Sequence, residues 1–187
     1  MPEKHSESLK KNPRGLAILL DTSAFISGYE VYSVKAEHYS IPSVRDELKE
    51  GELARLRFDN AARSGRLKVL SPESSYLDEV RAVGAKMGEE GALSDTDAQL
   101  LALGIKLKAD GLKPIVVSDD YSIQNVANRL GLGFRGLSTR GIKREFEWVV
   151  YCPGCRRTFR TLQAGNTCPV CGTLLKRRPD SKRPIRE

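Results

Sequence analysis

Four cysteines within 20 residues constrain this 187-residue chain more than any other feature. They form two CxxC pairs, Cys152 with Cys155 and Cys168 with Cys171, separated by 12 residues, and the chain has no other cysteine. Two such pairs allow four thiolates to converge tetrahedrally on one metal ion. We therefore predict a structural zinc site in a ribbon of short antiparallel strands.

The same cysteines are compatible with three other structures. Two disulfides would need an oxidising compartment, and a thioredoxin-like redox centre would need one CxxC rather than two. An iron centre of rubredoxin type uses the same thiolate geometry and remains the main competitor. With either metal, four thiolates leave no open coordination position, so we expect the ion to stabilise the fold rather than to take part in chemistry.

The positive charge of the chain is confined to its last quarter. Residues 1–139 carry 19 Lys and Arg against 20 Asp and Glu, whereas residues 140–187 carry 12 against 4. A basic surface of this density favours a polyanion such as RNA or DNA, although a solubilising tail has the same composition. The candidate RNA-binding residues are Arg156, Arg157, Arg160, Lys176, Arg177 and Arg178.

The first three quarters of the chain, residues 14–138, alternate apolar stretches with helix-like stretches. This alternation predicts an α/β domain, with a mostly parallel sheet flanked by helices. The predicted strands lie near 16–21, 67–70, 114–118 and 133–137. The predicted helices lie near 22–28, 43–63, 73–87, 95–109 and 121–130.

The remaining segments are predicted from composition. They are a flexible N-terminus (1–13), a linker (139–145), the zinc ribbon (146–176) and a basic tail (177–187). The tail is expected to be disordered, because it is polar and rich in proline. The N-terminus lacks the apolar region of a secretory signal, and no stretch approaches the roughly 20 apolar residues of a membrane span. We therefore expect a cytoplasmic protein.

Acidic residues stand at the edges of apolar elements in four places. Asp21 follows the first strand, Glu47 lies near the start of a predicted helix, Asp97 is in the first turn of another, and Asp119 and Asp120 follow the strand 114–118. In an open α/β sheet such residues can meet beyond the carboxyl ends of the strands. Taken singly, each acid could instead cap a helix or lie on its surface.

Clustered carboxylates indicate a divalent cation, because they repel one another unless a positive charge neutralises them. Mg²⁺ and Mn²⁺ take carboxylate and water oxygens and leave positions for phosphate. An ion held in this way supports phosphodiester hydrolysis by activating water and stabilising the leaving oxygen. A histidine-based mechanism is unsupported, since His5 and His38 are the only histidines and neither has ligand spacing.

Four segments together resemble the PIN-domain endonucleases: LLDTSAFI (19–26), IPSVRDEL (41–48), LSDTDAQLLALG (93–104) and VVSDDYSIQNVA (116–127). A PIN domain followed by a zinc ribbon and a basic tail is similar to the archaeal NOB-type endoribonucleases. The resemblance implies a metal-dependent endoribonuclease that cleaves the small-subunit ribosomal RNA precursor at its 3′ end during ribosome biogenesis. The implied partner is pre-rRNA within a pre-ribosomal particle.

The resemblance also implies the site residues. Asp21, Glu47, Asp97 and Asp120 would hold Mg²⁺ or Mn²⁺; Asp120 is preferred over Asp119 because Ser118 sets the Ser-x-Asp register, and Asp119 could share the site. Two other functions stay open. The chain could be a non-catalytic assembly factor that only binds RNA, or a toxin-type PIN ribonuclease acting on messenger or transfer RNA.

Overall fold

The computed structural model of the chain describes residues 15–89, 91–138, 144–159 and 166–184. We call residues 15–138 the N-terminal domain and residues 144–184 the ribbon. The predicted flexible N-terminus and residues 139–143 of the predicted linker lie outside the described residues. No helix in the described ranges is long and apolar enough to span a membrane.

The N-terminal domain is built on a five-stranded sheet in the order β3-β2-β1-β4-β5, in which every pairing is parallel. This confirms the predicted α/β class. Its strands are β1 (Leu16–Leu20), β2 (Glu37–Ser40), β3 (Leu67–Val69), β4 (Lys113–Val117) and β5 (Gly133–Arg135). Its helices are α1 (Thr22–Ile26), α2 (Pro42–Glu47), α3 (Leu53–Arg63), α4 (Ser74–Met87), α5 (Asp95–Ala109) and α6 (Tyr121–Arg129).

The sheet forms the middle layer of the domain, because its middle strands are apolar on both faces. In β1 every residue from Ala17 to Leu20 is buried, which is the pattern of a parallel strand covered by helices on both sides. Helix α5 supplies much of the covering layer, and its residues Leu100 to Leu103 are fully buried. The core of the domain therefore lies on the two faces of the sheet.

Strand β2 was absent from the sequence prediction because its residues are polar. His38, Tyr39 and Ser40 are nonetheless almost fully buried. The Ser40 hydroxyl donates to the carbonyl of Leu20 at 2.8 Å, and the His38 ring lies 3.1 Å from the hydroxyl of Tyr29. These hydrogen bonds offset the cost of burying polar groups, and an apolarity pattern does not reveal them.

The helix predicted over 43–63 is wrong, because two helices occupy that stretch. Helix α2 ends at Glu47, Leu48 has an extended conformation, and Gly51 has a positive φ of 79° before α3 begins at Leu53. As a result, Glu47 lies at the end of a short helix rather than near the start of a long one.

The ribbon is a three-stranded antiparallel sheet in the order β7-β6-β8. Its strands are β6 (Arg144–Tyr151), β7 (Thr158–Phe159) and β8 (Lys176–Pro184). The sheet confirms the predicted antiparallel module, but two boundaries differ. The predicted linker 139–145 overlaps β6 at residues 144 and 145, and the predicted disordered tail is wrong for residues 177–184, which belong to β8.

Strand β8 is ordered because it pairs along the whole length of β6. Its arginines pack on aromatic rings, with Arg177 5.0 Å from the ring centre of Trp148 and Arg178 5.2 Å from that of Tyr151. Pro179 lies at a register shift in an edge strand, where a missing N–H is tolerated. Pairing and cation–π contacts thus compensate for the polar composition of the segment.

Candidate active site and metal centre

Two of the predicted acidic positions meet because β1 and β4 are neighbours. The strands are parallel, with Leu20 opposite Val117, and the N–H of Asp21 donates to the carbonyl of Val117 at 3.3 Å. Asp21 and the segment starting at Ser118 therefore leave the sheet side by side at its carboxyl edge. The sheet order alone produces this juxtaposition.

Asp21 is both a helix cap and a buried acid. Its carboxylate accepts the N–H of Thr22 at 2.6 Å, the hydroxyl of Ser23 at 3.0 Å and the hydroxyl of Ser118 at 2.8 Å. Only 6% of the residue is exposed, and this burial raises the pKa of the carboxyl despite the three hydrogen bonds, which act in the opposite direction. The capping explanation is thus correct but does not account for the burial.

Glu47 reaches the same edge by way of β2 and α2. Its Oε2 atom accepts the hydroxyl of Thr22 at 2.5 Å. Because Thr22 follows Asp21 directly, this hydrogen bond brings the end of α2 next to the N-terminus of α1. Glu47 therefore lies close to Asp21 even though the two residues belong to different connections of the sheet.

Asp97 occupies the first turn of α5, as the sequence predicts. It forms a capping box with Ser94: the N–H of Asp97 donates to the Ser94 hydroxyl at 3.1 Å, and its carboxylate accepts the N–H of Ser94 at 2.9 Å. Burial is the main reason that its pKa rises to about 6, and the negative charges of Asp21 and Asp120 raise it further. Asp21, Asp97 and Asp120 are therefore close enough to influence one another, and we call the region around them and Glu47 the acidic cleft.

Asp119 and Asp120 have different surroundings. Asp120 is the N-cap of α6 and accepts the N–H of Ser122 at 2.6 Å, while its own N–H donates to the hydroxyl of Ser118 at 3.1 Å. The carboxylate of Asp119 accepts the N–H groups of Leu137 and Ser138 at 2.8 and 3.1 Å and so is directed towards the segment after β5. This geometry favours Asp120 as the fourth acid of the cleft.

The four acids assigned to the cleft offer the carboxylate oxygens that a hard divalent cation prefers. Such a cation would lower the raised pKa values of Asp21 and Asp97. In the part of the chain that the structure describes, the acids are less tightly grouped than the cysteines, which are the one set of three or more ligand groups in metal-binding range. An ion would therefore draw the acids together against their repulsion.

Three hydroxyl groups organise the cleft, and the sequence analysis did not assign them this role. Thr22 donates to Glu47, whereas Ser23 and Ser118 both donate to Asp21. The signal in the sequence is that each hydroxyl residue lies within two residues of an acid, in the stretches 21–23 and 118–119. A helix-capping function predicts the same residue types, so only the contacts between elements reveal their second role.

The four cysteines converge as predicted. The Sγ atoms of Cys152 and Cys171 are 3.3 Å apart, those of Cys155 and Cys168 are 3.6 Å apart, and all four lie within 4.8 Å of one another. The side chain and backbone of Thr173 lower the pKa of Cys171 to about 6. Four thiols at these distances could bind a metal ion in place of four protons.

The two CxxC turns have the same backbone geometry. In the first turn the N–H of Arg156 donates to the carbonyl of Cys152 at 2.9 Å, and in the second the N–H of Gly172 donates to that of Cys168 at 2.9 Å. The residue after each second cysteine has a positive φ, which is 61° at Arg156 and 71° at Gly172. Glycine adopts this conformation readily, whereas arginine is strained by it.

The predicted RNA-binding residues fall into three groups. Arg156, Arg157, Lys176 and Arg178 are exposed on the ribbon. Arg177 is only partly exposed and donates to the carbonyl of Gly88 at 2.7 Å and to the carboxylate of Glu89 at 2.9 Å. Arg160 lies outside the described residues.

Comparisons with known proteins cover the N-terminal domain and most of the chain. The family model described as the PIN domain of ribonuclease matches residues 18–107, which include Asp21, Glu47 and Asp97. The Endoribonuclease Nob1 of Pyrococcus abyssi is 40% identical over 168 residues, covering 90% of this chain and 97% of the relative. That match extends well beyond the PIN segment.

Two further relatives show the same extent of similarity. The Endoribonuclease Nob1 of Methanocaldococcus jannaschii is 35% identical over 86% of this chain and 76% of the relative. The Ribonuclease VapC1 of Thermoplasma acidophilum is 34% identical over 90% of this chain and 81% of the relative. The chain therefore belongs to the Nob1 endoribonucleases, a family of ribonucleases with a PIN domain.

Proposed function

We propose that this endoribonuclease cleaves the small-subunit ribosomal RNA precursor at its 3′ end, in the cytoplasm, with Mg²⁺ or Mn²⁺ as its cofactor. The observation that supports the cofactor and the reaction type is the acidic cleft. The pKa of Asp97 is raised both by burial and by the charges of Asp21 and Asp120, which belong to other elements of the fold. Acids that influence one another in this way form a site that a cation would stabilise.

The roles of the residues follow from their positions. Asp21, Glu47, Asp97 and Asp120 would hold the divalent ion, which supplies an activated water and stabilises the charge on the scissile phosphate. Ser118 holds the Asp21 carboxylate and the Asp120 backbone at 2.8 and 3.1 Å and so fixes their separation. The expected products are a 3′-hydroxyl and a 5′-phosphate.

The ribbon would contribute a structural zinc ion and contacts to RNA. Four thiolates suit zinc, and metal analysis of purified protein, with an expected ratio of one zinc per chain, separates it from iron. Arg156, Arg157, Lys176 and Arg178 are the proposed contacts to phosphate and base, since all four are exposed. Arg177 is not among the proposed RNA contacts, because its guanidinium already contacts Gly88 and Glu89.

The test is cleavage by the full chain with Mn²⁺ of an RNA spanning the small-subunit 3′ end. The substitution Asp97→Asn is expected to reduce the rate by more than about 100-fold, because even outer-shell partners of a metal site are worth 10- to 100-fold. Asp95→Asn is the matched control. Asp95 lies in the same helical turn, but its carboxylate is exposed and contacts Arg81 at 3.0 Å.

Each alternative function predicts a different result in this experiment. Equal cleavage by Asp97→Asn and the unsubstituted protein would contradict the acidic mechanism. Tight RNA binding without cleavage would indicate a non-catalytic assembly factor. Equal cleavage of unrelated transfer or messenger RNA would indicate a ribonuclease of the toxin type rather than one specific for pre-rRNA.

A further inference from the structure

The ribbon docks on the N-terminal domain through buried polar groups. Glu89 follows the end of α4 and Asn125 lies in the middle of α6, and each is only 2% exposed. Buried groups of this kind need partners, since an unpaired charge or amide in the interior is costly. Both residues find partners in the ribbon.

Glu89 is paired with Arg177 of β8. The guanidinium donates to Oε2 of Glu89 at 2.9 Å and to the carbonyl of Gly88 at 2.7 Å, while its other side packs on the ring of Trp148. Gly88 permits this approach because it has a φ of 69°, and a Cβ at this position would overlap the carbonyl of Trp148. The end of α4 is therefore shaped to receive the ribbon.

Asn125 connects the two parts of this interface. Its amide nitrogen donates to Oε1 of Glu89 at 2.9 Å and to the carbonyl of Phe146 at 2.8 Å, and its amide oxygen accepts the N–H of Phe146 at 2.8 Å. The side chain thus pairs with β6 in the way that a neighbouring strand would. One residue links α6, α4 and the ribbon.

A second contact with the ribbon lies at the C-terminal end of α6. Arg129 donates from Nε to Glu145 and from Nη2 to Glu147, both at 2.6 Å. Asn128 donates to Glu145 at 2.6 Å. Helix α6 is therefore held against β6 along more than one turn.

Each docking element is connected to an acid of the proposed active site. Asp120 is the N-cap of α6, the helix that contains Asn125. The carbonyl of Glu89 accepts the N–H groups of Ala92 and Leu93 at 2.9 and 3.0 Å, and Leu93 directly precedes Ser94, which begins the capping box that holds Asp97. The ribbon therefore contacts two segments whose positions set the separation of Asp97 and Asp120.

We propose that Glu89, Asn125 and Arg177 are positioning residues for the nuclease reaction. Through them the ribbon fixes α6 and the α4–α5 connection, and thereby the distance between Asp97 and Asp120. The ribbon is then a support for the acidic cleft in addition to any contact it makes with RNA. This inference rests on the proposed assignment of Asp97 and Asp120 as catalytic acids.

The experiment compares Arg177→Met with two other substitutions in the full chain. Arg144→Met is the matched control, because Arg144 is an exposed arginine of the same sheet. Arg178→Met reports an RNA contact, because Arg178 is adjacent in sequence but contacts Tyr151 rather than the N-terminal domain. Two quantities are measured for each variant. Calorimetry gives the Mn²⁺ affinity in the absence of RNA, and cleavage assays give kcat and KM on pre-rRNA.

Arg177→Met is expected to weaken Mn²⁺ binding and to lower kcat, each by about 10-fold, with little change in KM. Arg177→Lys restores the charge and should recover part of both losses. Arg178→Met is expected to raise KM alone, and Arg144→Met to change neither Mn²⁺ affinity nor kcat. Glu89→Gln removes the same ion pair from the buried side and is expected to reproduce the Arg177→Met effects.

Two results would overturn the proposal. One is that Arg177→Met raises KM but leaves Mn²⁺ affinity unchanged, as an ordinary RNA contact would. The other is that Glu89→Gln leaves both Mn²⁺ affinity and kcat unchanged. Failure of the proposed function is recognised separately, because Asp97→Asn and Asp120→Asn would then retain both Mn²⁺ binding and cleavage.

Discussion

The two parts of this protein are stabilised in different ways. The N-terminal domain has a continuous apolar core on both faces of its sheet, whereas the buried cluster of the ribbon, within its described residues, consists of Val150, Leu175 and two cysteines. A core of that size cannot offset the entropy of ordering the segment. The ribbon is therefore expected to depend on a metal ion held by its cysteines, whereas the N-terminal domain has an apolar core of its own.

The same difference applies to the charged groups of each part. In the ribbon the four cysteines would stabilise the fold once they bind a metal ion. In the N-terminal domain the acids oppose stability, because burial raises the pKa of Asp21 and of Asp97. Metal binding would thus support the fold in one part, whereas the acids of the proposed metal site destabilise the fold in the other.

The largest expected effect is the loss of the ribbon when its metal is removed. Cys168 is 3% exposed, and Cys168→Ser should unfold the ribbon, since structural zinc supplies roughly 10 kcal/mol or more of folding free energy. Trp148 is the only tryptophan and lies in β6 next to Gly88, so its fluorescence reports on the ribbon and on its contact with the N-terminal domain. The helical circular dichroism of the N-terminal domain should persist; its collapse together with the tryptophan signal would contradict the comparison.

The second effect concerns the apolar core. Phe58 is 1% exposed and packs on Phe25 with ring centres 5.0 Å apart. Phe58→Ala should lower the free energy of unfolding of the N-terminal domain by about 3 to 5 kcal/mol, through lost contacts and a cavity. Denaturation followed by circular dichroism measures it, with Leu56→Ala as the control, because Leu56 is 48% exposed on the same helix. A loss below about 1 kcal/mol would mean that the core is not what stabilises this domain.

The third effect is a pH dependence in the acidic cleft. The pKa of Asp97 is raised to about 6, so the folded protein favours its neutral form and, without metal, loses stability as pH rises from about 4 through about 6. Mn²⁺ must displace that proton, and its affinity should increase about 10-fold per pH unit below 6 and level off above. Calorimetric titration from pH 5 to 7.5 measures this, and an affinity that does not change with pH would refute it.

The smallest expected effect on stability comes from the one residue that differs in conformational strain between the two CxxC turns. Arg156 and Gly172 occupy equivalent positions with positive φ, but only arginine is strained there. Arg156→Gly should stabilise the ribbon by about 1 kcal/mol. The measurement is the midpoint of the Trp148 fluorescence transition under denaturant. Arg157→Gly, beside it, is the control and should bring no gain; an equal gain in both variants would show that strain at Arg156 is not the cause.

The elements with a plain apolar pattern were predictable from the sequence, and so were the ligands of the ribbon. Strand β1 and helix α5 follow from long apolar runs, and the cysteines from their spacing. Strand β2 was missed because His38 and Ser40 are buried by means of hydrogen bonds to distant residues. The disordered tail was predicted wrongly because β8 is stabilised by its pairing with β6, which composition does not reveal.

The candidate site, like the fold, was predictable from the sequence only in part. An acid at the edge of each apolar element was visible in the sequence, and the sheet order brings Asp21 next to the segment that begins at Ser118. The different surroundings of Asp119 and Asp120 could not be predicted from the sequence. Asp119 accepts hydrogen bonds from the N–H groups of Leu137 and Ser138, which follow β5 in the chain. Contacts across the sheet decide such cases, and a local motif does not contain them.

The amide of Asn125 also has a consequence for how copies of this chain behave at high concentration. An open strand edge offers free N–H and carbonyl groups on which a strand of another molecule can add, which leads to aggregation. In β6 the groups of Phe146 are already paired with Asn125 at 2.8 Å. Because β7, within the described residues, pairs only with Val150 and Tyr151, Phe146 lies on a stretch of β6 that would otherwise be open to such addition, and Asn125 closes it at that residue.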